Sequence, residues 1–262
     1  MSPIEAADRA TSPTTISNGS EGPVLLMQNV RFGWAAGQPP LINLDSFAVA
    51  AGERIFISGP SGCGKSTLLS LIAGVALPDH GRLEILGKDF TALTSAARDR
   101  FRADHLGIVF QQFNLIPYLS ILENVLLPCQ FSAKRRQRIA NAGLTPRLEA
   151  ERLLTHLELD FRVLGKQAAA DLSIGQQQRV AVARALIGAP EVIVADEPTS
   201  ALDDESGGRF VELLLTHSES NATAVVFVSH DTRLASQFDR HIRFSTLKAR
   251  AAVESLRGSG TS

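Results

Sequence analysis

An α/β fold, with a mainly parallel sheet and a block of helices inserted between its strands, is what this 262-residue sequence predicts. Three observations lead there. The apolar runs RIFIS (54–58), EVIVA (191–195) and TAVVFVS (223–229) read as strands, and each precedes a helix-like segment. The stretch from Ser120 to about Leu186 is mostly helical by pattern, with breaks expected at Pro128 and Pro146. A hydrophobic content of 44% over this length is enough for one sizeable core.

Taken in order, residues 1–22 are rich in Ser, Thr, Ala and Gly and are expected to form a mobile tail. VLLMQNVRF from Val24 and LINLDSFAV (41–49) alternate apolar and polar positions, as half-buried strands do. RIFIS follows as a strand buried on both faces, then a helix from about Lys65 to Ala73. TSAARDRFRAD (94–104) reads as a helix and LGIVF (106–110) as a strand. The run Lys134, Arg135, Arg136 and Arg138 reads as a solvated helix face, not a binding site. Residues 247–262 are assigned to a short C-terminal tail.

The charge balance, 26 basic against 27 acidic side chains, lacks the basic excess that nucleic-acid phosphates demand, so no nucleic-acid partner is expected. No apolar run approaches the roughly 18 residues of a spanning helix, and the N-terminal segment, with Glu5, Asp8 and Glu21, lacks a signal-peptide h-region. A cytosolic location is expected. The two cysteines, Cys63 and Cys129, are read as small space-filling residues without a disulfide.

RIFIS runs into GPSGCGKST, residues Gly59, Pro60, Ser61, Gly62, Cys63, Gly64, Lys65, Ser66 and Thr67. This is G-x-x-x-x-G-K-[ST] between a strand and a helix. The glycines let the backbone curl so that successive N–H groups point at phosphate oxygens, and the helix adds the positive end of its dipole. Lys65 is expected on the β- and γ-phosphates and the Ser66 hydroxyl on Mg²⁺. The loop alone leaves kinases, GTPases, helicases and transport ATPases open. EVIVADEPTSALD then puts Asp196 and Glu197 at the C-terminal end of an apolar strand, where ligands of open α/β sheets collect. Asp196 is the candidate for Mg²⁺, and Glu197 for orienting the water that attacks the γ-phosphate.

Around these two motifs the chain resembles the ATPases of ABC transporters. LSIGQQQRVAVARAL (172–186), with Ser173, Ile174, Gly175 and Gln176, is similar to that family's signature. Ser200, Ala201, Leu202 and Asp203 resemble its D-loop; His230, in VFVSHD, its switch histidine; and Gln111, in GIVFQQ, its Q-loop glutamine, with Gln112 a competing candidate. Trp34 resembles the aromatic that stacks on adenine, although a core or surface tryptophan is the alternative. The run VFQQFNLIPYLSILENVLLP is similar to the branch serving lipoprotein release and macrolide-type export.

The resemblance implies an ABC ATPase fold over residues 23–246: a P-loop NTPase core with a mainly parallel sheet, an antiparallel β subdomain near the N-terminus, and an α-helical subdomain at about 112–182. It implies an ATPase using ATP and Mg²⁺, with Lys65, Gln111, Glu197 and His230 catalytic and Ser66, Gln111 and Asp196 on the metal. It also implies a homodimer in which one copy's Ser173 and Gly175, ahead of a helix from about Gln176, close over the partner's γ-phosphate. A separately encoded membrane permease would be the driven partner, holding the protein at the inner face of the membrane. The alternative is a nucleotide-gated clamp that signals to a membrane partner without transport. Ile174 stands where glycine is commoner, and a glycine-only backbone angle there would make isoleucine costly. Phe113–Leu119 is read either as packing within the helical block or as part of a groove for a membrane-subunit helix.

Overall fold

The computed structural model describes residues 22–35, 38–200, 202–219 and 221–247. Residues 1–21 of the expected 1–22 tail and all but the first residue of the C-terminal one lie outside the described residues, as does Ala201.

Two sheets organise the chain. The first is antiparallel, in the order β2-β1-β4-β5, and is built from β1 (Leu25–Phe32), β2 (Ile42–Val49), β4 (His80–Ile85) and β5 (Lys88–Asp89). The second is parallel, in the order β6-β7-β8-β3-β9. Its strands are β3 (Arg54–Ser58), β6 (Leu106–Val109), β7 (Val192–Asp196), β8 (Ala224–Ser229) and β9 (Arg240–Arg243). The parallel core with a separate antiparallel sheet matches the expected fold class.

The unbroken apolar character of the central strands has a direct cause. Side chains alternate across a strand, and both faces of the parallel sheet are buried. On β3, Ile55 and Ile57 join the core shared with the antiparallel sheet and α1 (Lys65–Ile72), while Phe56 joins the core under the helical block. On β8, Val226 and Val228 face the first core, Val225 and Phe227 the second. Phe56 stacks on Phe227 with ring centroids 5.9 Å apart. Burying each such side chain contributes about 1.5–3 kcal/mol.

The helical block lies between β6 and β7: α3 (Ile121–Phe131), α4 (Ala133–Asn141), α5 (Pro146–His156), the short α6 (Phe161–Leu164) and α7 (Ile174–Leu186). Further helices are α2 (Ser95–His105) and α8 (Asp204–Glu219). Pro146 starts α5 behind a Thr145 cap, as a helix-opening proline should. Pro128 does not break α3 but lies inside it. The ring removes one donor, at a cost of about 3 kcal/mol. Burial of Ile121, Val125 and Cys129, on the face packed into the core, offsets that loss.

Two residues of the basic run on α4 also correct the sequence reading. Arg135 is only 1% exposed. Its guanidinium donates to the carbonyls of Ala103 (2.8 Å), Leu106 (2.7 Å) and Ile187 (2.5 Å), which lie where α2, β6 and α7 end or begin. Gly188, at φ 70°, gives way to it, since a Cβ there would stand 2.6 Å from Arg135 Cβ. Arg138 donates to Glu191 Oε1 at 2.6 Å and to the Asp104 carbonyl at 2.9 Å. Arg135 and Arg138 therefore bolt the helical block to the sheet, whereas Lys134 and Arg136 are exposed, as a solvated face requires. The i, i+3 pair looked solvated because the carbonyls it satisfies are distant in sequence.

Three strands went unread: β4, β5 and β9. The first three residues of β4 and three of the four in β9 are exposed, so neither carries an apolar run. Their pairing partners, Met27 for Leu83 and Ile55 for Arg240, lie far off in the chain.

Candidate functional site

The site grows from the C-terminal edge of β3. Gly62 and Gly64 take φ of 75° and 112°, angles that side chains other than glycine's rarely accept. The chain thereby turns from strand into α1 with Lys65 as the first helical residue. Lys65 is buried, and its Nζ donates back to the carbonyls of Gly59 (2.7 Å) and Pro60 (3.0 Å). Nζ also lies 3.4 Å from Glu197 Oε1.

The acidic pair comes from the end of β7, two strands away. Glu197 bends out of the sheet at φ 46° while its N–H still reaches the Val228 carbonyl. Its carboxylate, 12% exposed, sits between Lys65 and His230, whose Nδ1 lies 2.5 Å from Oε2. Asp196 stays half-buried. Burial, and after it the neighbouring Glu197 charge, pushes its carboxyl above the usual range against the pull of the Ser66 hydroxyl and Lys65. Asp196 Oδ1 is buried with no hydrogen-bond partner among the described residues.

Among the described residues no cluster of three or more His, Cys, Asp or Glu side chains is arranged for a metal. Mg²⁺ does not need one, since it is commonly held by one or two protein oxygens plus substrate phosphates. The unpartnered Asp196 oxygen beside the Ser66 hydroxyl fits that requirement.

A cleft of about 340 Å³ opens over Lys65, Ser66, Glu197 and His230, and neither Asp196 nor Trp34 is among its lining residues. Ser61, Gly62, Gly64, Lys65, Ser66 and Thr67 form its floor; Gln111, Glu197, Ser200 and His230 form its other wall. Of the two adjacent glutamines, Gln111 lines the cleft and Gln112 does not. Trp34 is 68% exposed, and its indole N–H donates to Thr67 Oγ1 at 3.2 Å while its ring sits edge-on to Phe32 at 4.9 Å. Its ring is thus held beside the loop with much of its surface open. Cys63 packs partly against the core shared with the antiparallel sheet.

The signature residues are not in this cleft. Ser173 is the N-cap of α7, and its Oγ accepts from the Gln176 N–H while Gln176 Oε1 accepts from the Ser173 N–H. The helix begins at Ile174, two residues before the expected Gln176. Ile174 therefore has helical backbone angles and 56% exposure, so the feared glycine-only angle does not arise. Past the acidic pair, Asp203 caps α8 by accepting from the Ser206 N–H (2.9 Å) and hydroxyl (2.8 Å), and Leu202 and Asp203 line a neighbouring hollow.

Two supporting residues escaped the sequence reading. Asn124 is fully buried, donates to the Ile116, Leu119 and Ser120 carbonyls and accepts from the Ile116 N–H, shaping the loop after Gln111. Gln178 donates to the Pro198 carbonyl at 2.6 Å, tying α7 to the segment after Glu197. A polar residue on the buried stripe of an apolar helix was the available signal for both. In 113–119, Phe113 is buried and Leu115 packs on the core, whereas Tyr118 is 80% exposed.

The family model described as ABC transporter matches residues 42–200. The lipoprotein-releasing system ATP-binding protein LolD of Xanthomonas euvesicatoria pv. vesicatoria (strain 85-10) is 38% identical over 216 residues, 82% of this chain and 85% of its own. The uncharacterized ABC transporter ATP-binding protein YbbA of Escherichia coli (strain K12) is 40% identical over 195 residues, 74% of this chain and 82% of its own. Among solved structures, the dimeric post-hydrolysis state of the ATP-binding cassette MJ0796 bound to ADP and Pi superposes with a TM-score of 0.72 at 36% identity, covering 84% of this chain and 93% of that one. Family match, relatives and fold make the chain a member of the ABC transporter family, an ATP-binding cassette that hydrolyses ATP.

Proposed function

We propose that the chain is the motor subunit of an export or lipoprotein-extraction system, working as a homodimer that ATP closes and hydrolysis reopens. One observation carries the reading. Two helix N-termini suited to anions, those of α1 and α7, occur on one chain, yet the cleft over α1 includes none of Ser173, Ile174, Gly175 and Gln176. A second copy brings the α7 end of one chain to the cleft of the other. The dimeric form of the MJ0796 cassette supports that arrangement.

Within each cleft the roles follow from chemistry. Backbone N–H groups of the loop and the Lys65 ammonium hold the phosphates. Trp34 offers its open ring face to adenine, worth about 1–3 kcal/mol by comparison with other base–aromatic contacts. Ser66 and Asp196, with Gln111 at the rim, would hold Mg²⁺, which supplies neutralisation of phosphate charge when bound. Glu197 orients the attacking water, while His230 aligns the Glu197 carboxylate and faces the γ-phosphate.

The membrane partner has a candidate seat. A groove of about 630 Å³ lies beside α3, lined by Phe110, Asn114, Leu127, Pro128, Phe131 and Arg184. Phe131 is largely exposed there. Apolar walls with a few polar groups suit an amphipathic helix of a permease. Among the described residues no helix is long and apolar enough to cross a membrane; the proposal assigns the spanning component to a permease.

The test is the solution mass of the Glu197→Gln variant with and without ATP and Mg²⁺. Doubling of mass with ATP is the expected result. A monomer at saturating ATP, with ATP demonstrably bound, would count against closure of shared sites. Substrate movement in vesicles reconstituted with the permease separates a motor from a signalling clamp.

A further inference from the structure

Seven residues beyond Glu197, Asp204 opens α8, and it is tied across the surface to the histidine loop. Arg233 joins the two. Its Nη2 donates to Asp204 Oδ1 (2.5 Å) and Asp231 Oδ2 (2.9 Å), its Nε donates to Asp231 Oδ1 (2.8 Å), and its Nη1 completes a fork on Asp204 Oδ2. Asp231 is the neighbour of His230, and His230 returns to Glu197 at 2.5 Å. The path is thus closed: Glu197, along the chain to Asp204, through Arg233 to Asp231, His230 and back. It surrounds the second hollow, about 390 Å³, whose lining includes Ser200, Leu202, Asp204, His230, Asp231 and Arg233.

From this ring we infer that Arg233 is a positioning residue for ATP hydrolysis: its double fork keeps the histidine loop in register with the segment after Glu197. The inference rests on the role proposed for Glu197 and His230. Several features favour positioning over simple stabilisation. Arg233 and Asp204 are exposed and Asp231 partly so, and isolated ion pairs at a surface contribute little to folding. Arginine's planar fork nonetheless fixes two carboxylates in one geometry, which a lysine point charge does not. Asp204 opens the helix that follows the Glu197 segment and Asp231 follows His230 directly, and Ser200 N–H is itself bonded to the Glu197 carbonyl at 3.1 Å. Beside the fork, the described side-chain bond between the histidine loop and the segment from Glu197 to Asp204 is the His230–Glu197 contact.

The experiment compares steady-state ATPase kinetics, nucleotide affinity and melting temperature for the full chain carrying Arg233→Ala, Arg233→Lys, or the swapped pair Asp204→Arg with Arg233→Asp. Trp34, the only tryptophan of the sequence, serves as a fluorescence reporter of ATP binding. Arg209→Ala is the control, because it breaks another exposed pair on α8, Glu205–Arg209, that touches neither loop. Since a misplacement of about 1 Å can cost up to 10²-fold in rate, kcat should fall by about tenfold or more in Arg233→Ala. ATP affinity and melting temperature should stay near those of the parent, the lysine variant should recover only part of the loss, and the swapped pair should recover more than the alanine variant. A kcat within twofold of the parent in Arg233→Ala overturns the inference. So does a loss matched by Arg209→Ala, or one mirrored in weakened ATP binding. Glu197→Gln is measured alongside: if it still hydrolyses ATP, the proposed role of Glu197 fails separately.

Discussion

His230 Nδ1 stands 2.5 Å from Glu197 Oε2, although the two residues leave different strands, β8 and β7. The contact orients a carboxylate whose other oxygen faces Lys65 at 3.4 Å. It makes the histidine a part of the acidic site instead of a turn residue that happens to follow a strand.

Removing that imidazole should therefore disturb chemistry before binding. His230→Ala is expected to lower kcat by about 10²- to 10⁴-fold, the usual range for a group managing protons or a reacting water. ATP affinity read from Trp34 fluorescence should change little. An equal loss of affinity and rate would move His230 from catalysis to nucleotide binding.

Glu197→Gln keeps shape and removes the charge. Turnover should fall by at least about 10²-fold, while the ATP-bound dimer accumulates. Phosphate release assays and solution mass, made on one preparation, check both halves.

Arg135 is expected to matter to folding alone. Arg135→Met strands three close backbone carbonyls in the interior, at about 1–3 kcal/mol each before relaxation. A loss of about 3 kcal/mol or more in urea unfolding is the expected outcome. Burial has already lowered its guanidinium to about 10, which leaves it charged at neutral pH. A loss below about 1 kcal/mol would mean that the carbonyls find water.

Ile174→Gly should not help. Ile174 already sits in the first turn of α7 with helical angles, so glycine there relieves no strain and costs up to about 1 kcal/mol of helix stability. In the Glu197→Gln background, ATP-driven dimerisation should be no tighter with glycine. A tenfold gain would show instead that the exposed isoleucine hinders closure.

The acid limb of stability should carry a mark of His217. Burial first, then the charges of His156 and Arg152, holds its imidazole below the ordinary value of 6.5. Its ring lies 5.3 Å from that of His156. As pH falls through 6.5 the unfolded chain takes up a proton that the folded one resists, so stability declines toward lower pH; above that value the group contributes no slope. The difference in unfolding midpoint between pH 7.5 and about 5.5 should shrink in His217→Phe.

Much of this protein is written locally in its chain. GPSGCGKST announces itself because the curl, the lysine and the helix start are all set by neighbouring residues. The central strands are legible because burial on both faces demands an unbroken apolar run. The capping box of Ser173 and Gln176 needs only a three-residue spacing.

Other features needed the tertiary structure, because their partners are remote in sequence. β4 and β9 are strands through pairing, not through their own patterns. Arg135 looks like solvated charge until the ends of α2 and α7 close around it. Arg233 and Asp204 are 29 residues apart, and no spacing rule relates them. Periodicity records which face of an element is buried. It does not record which distant carbonyl, carboxylate or strand will be waiting there, and that choice belongs to packing.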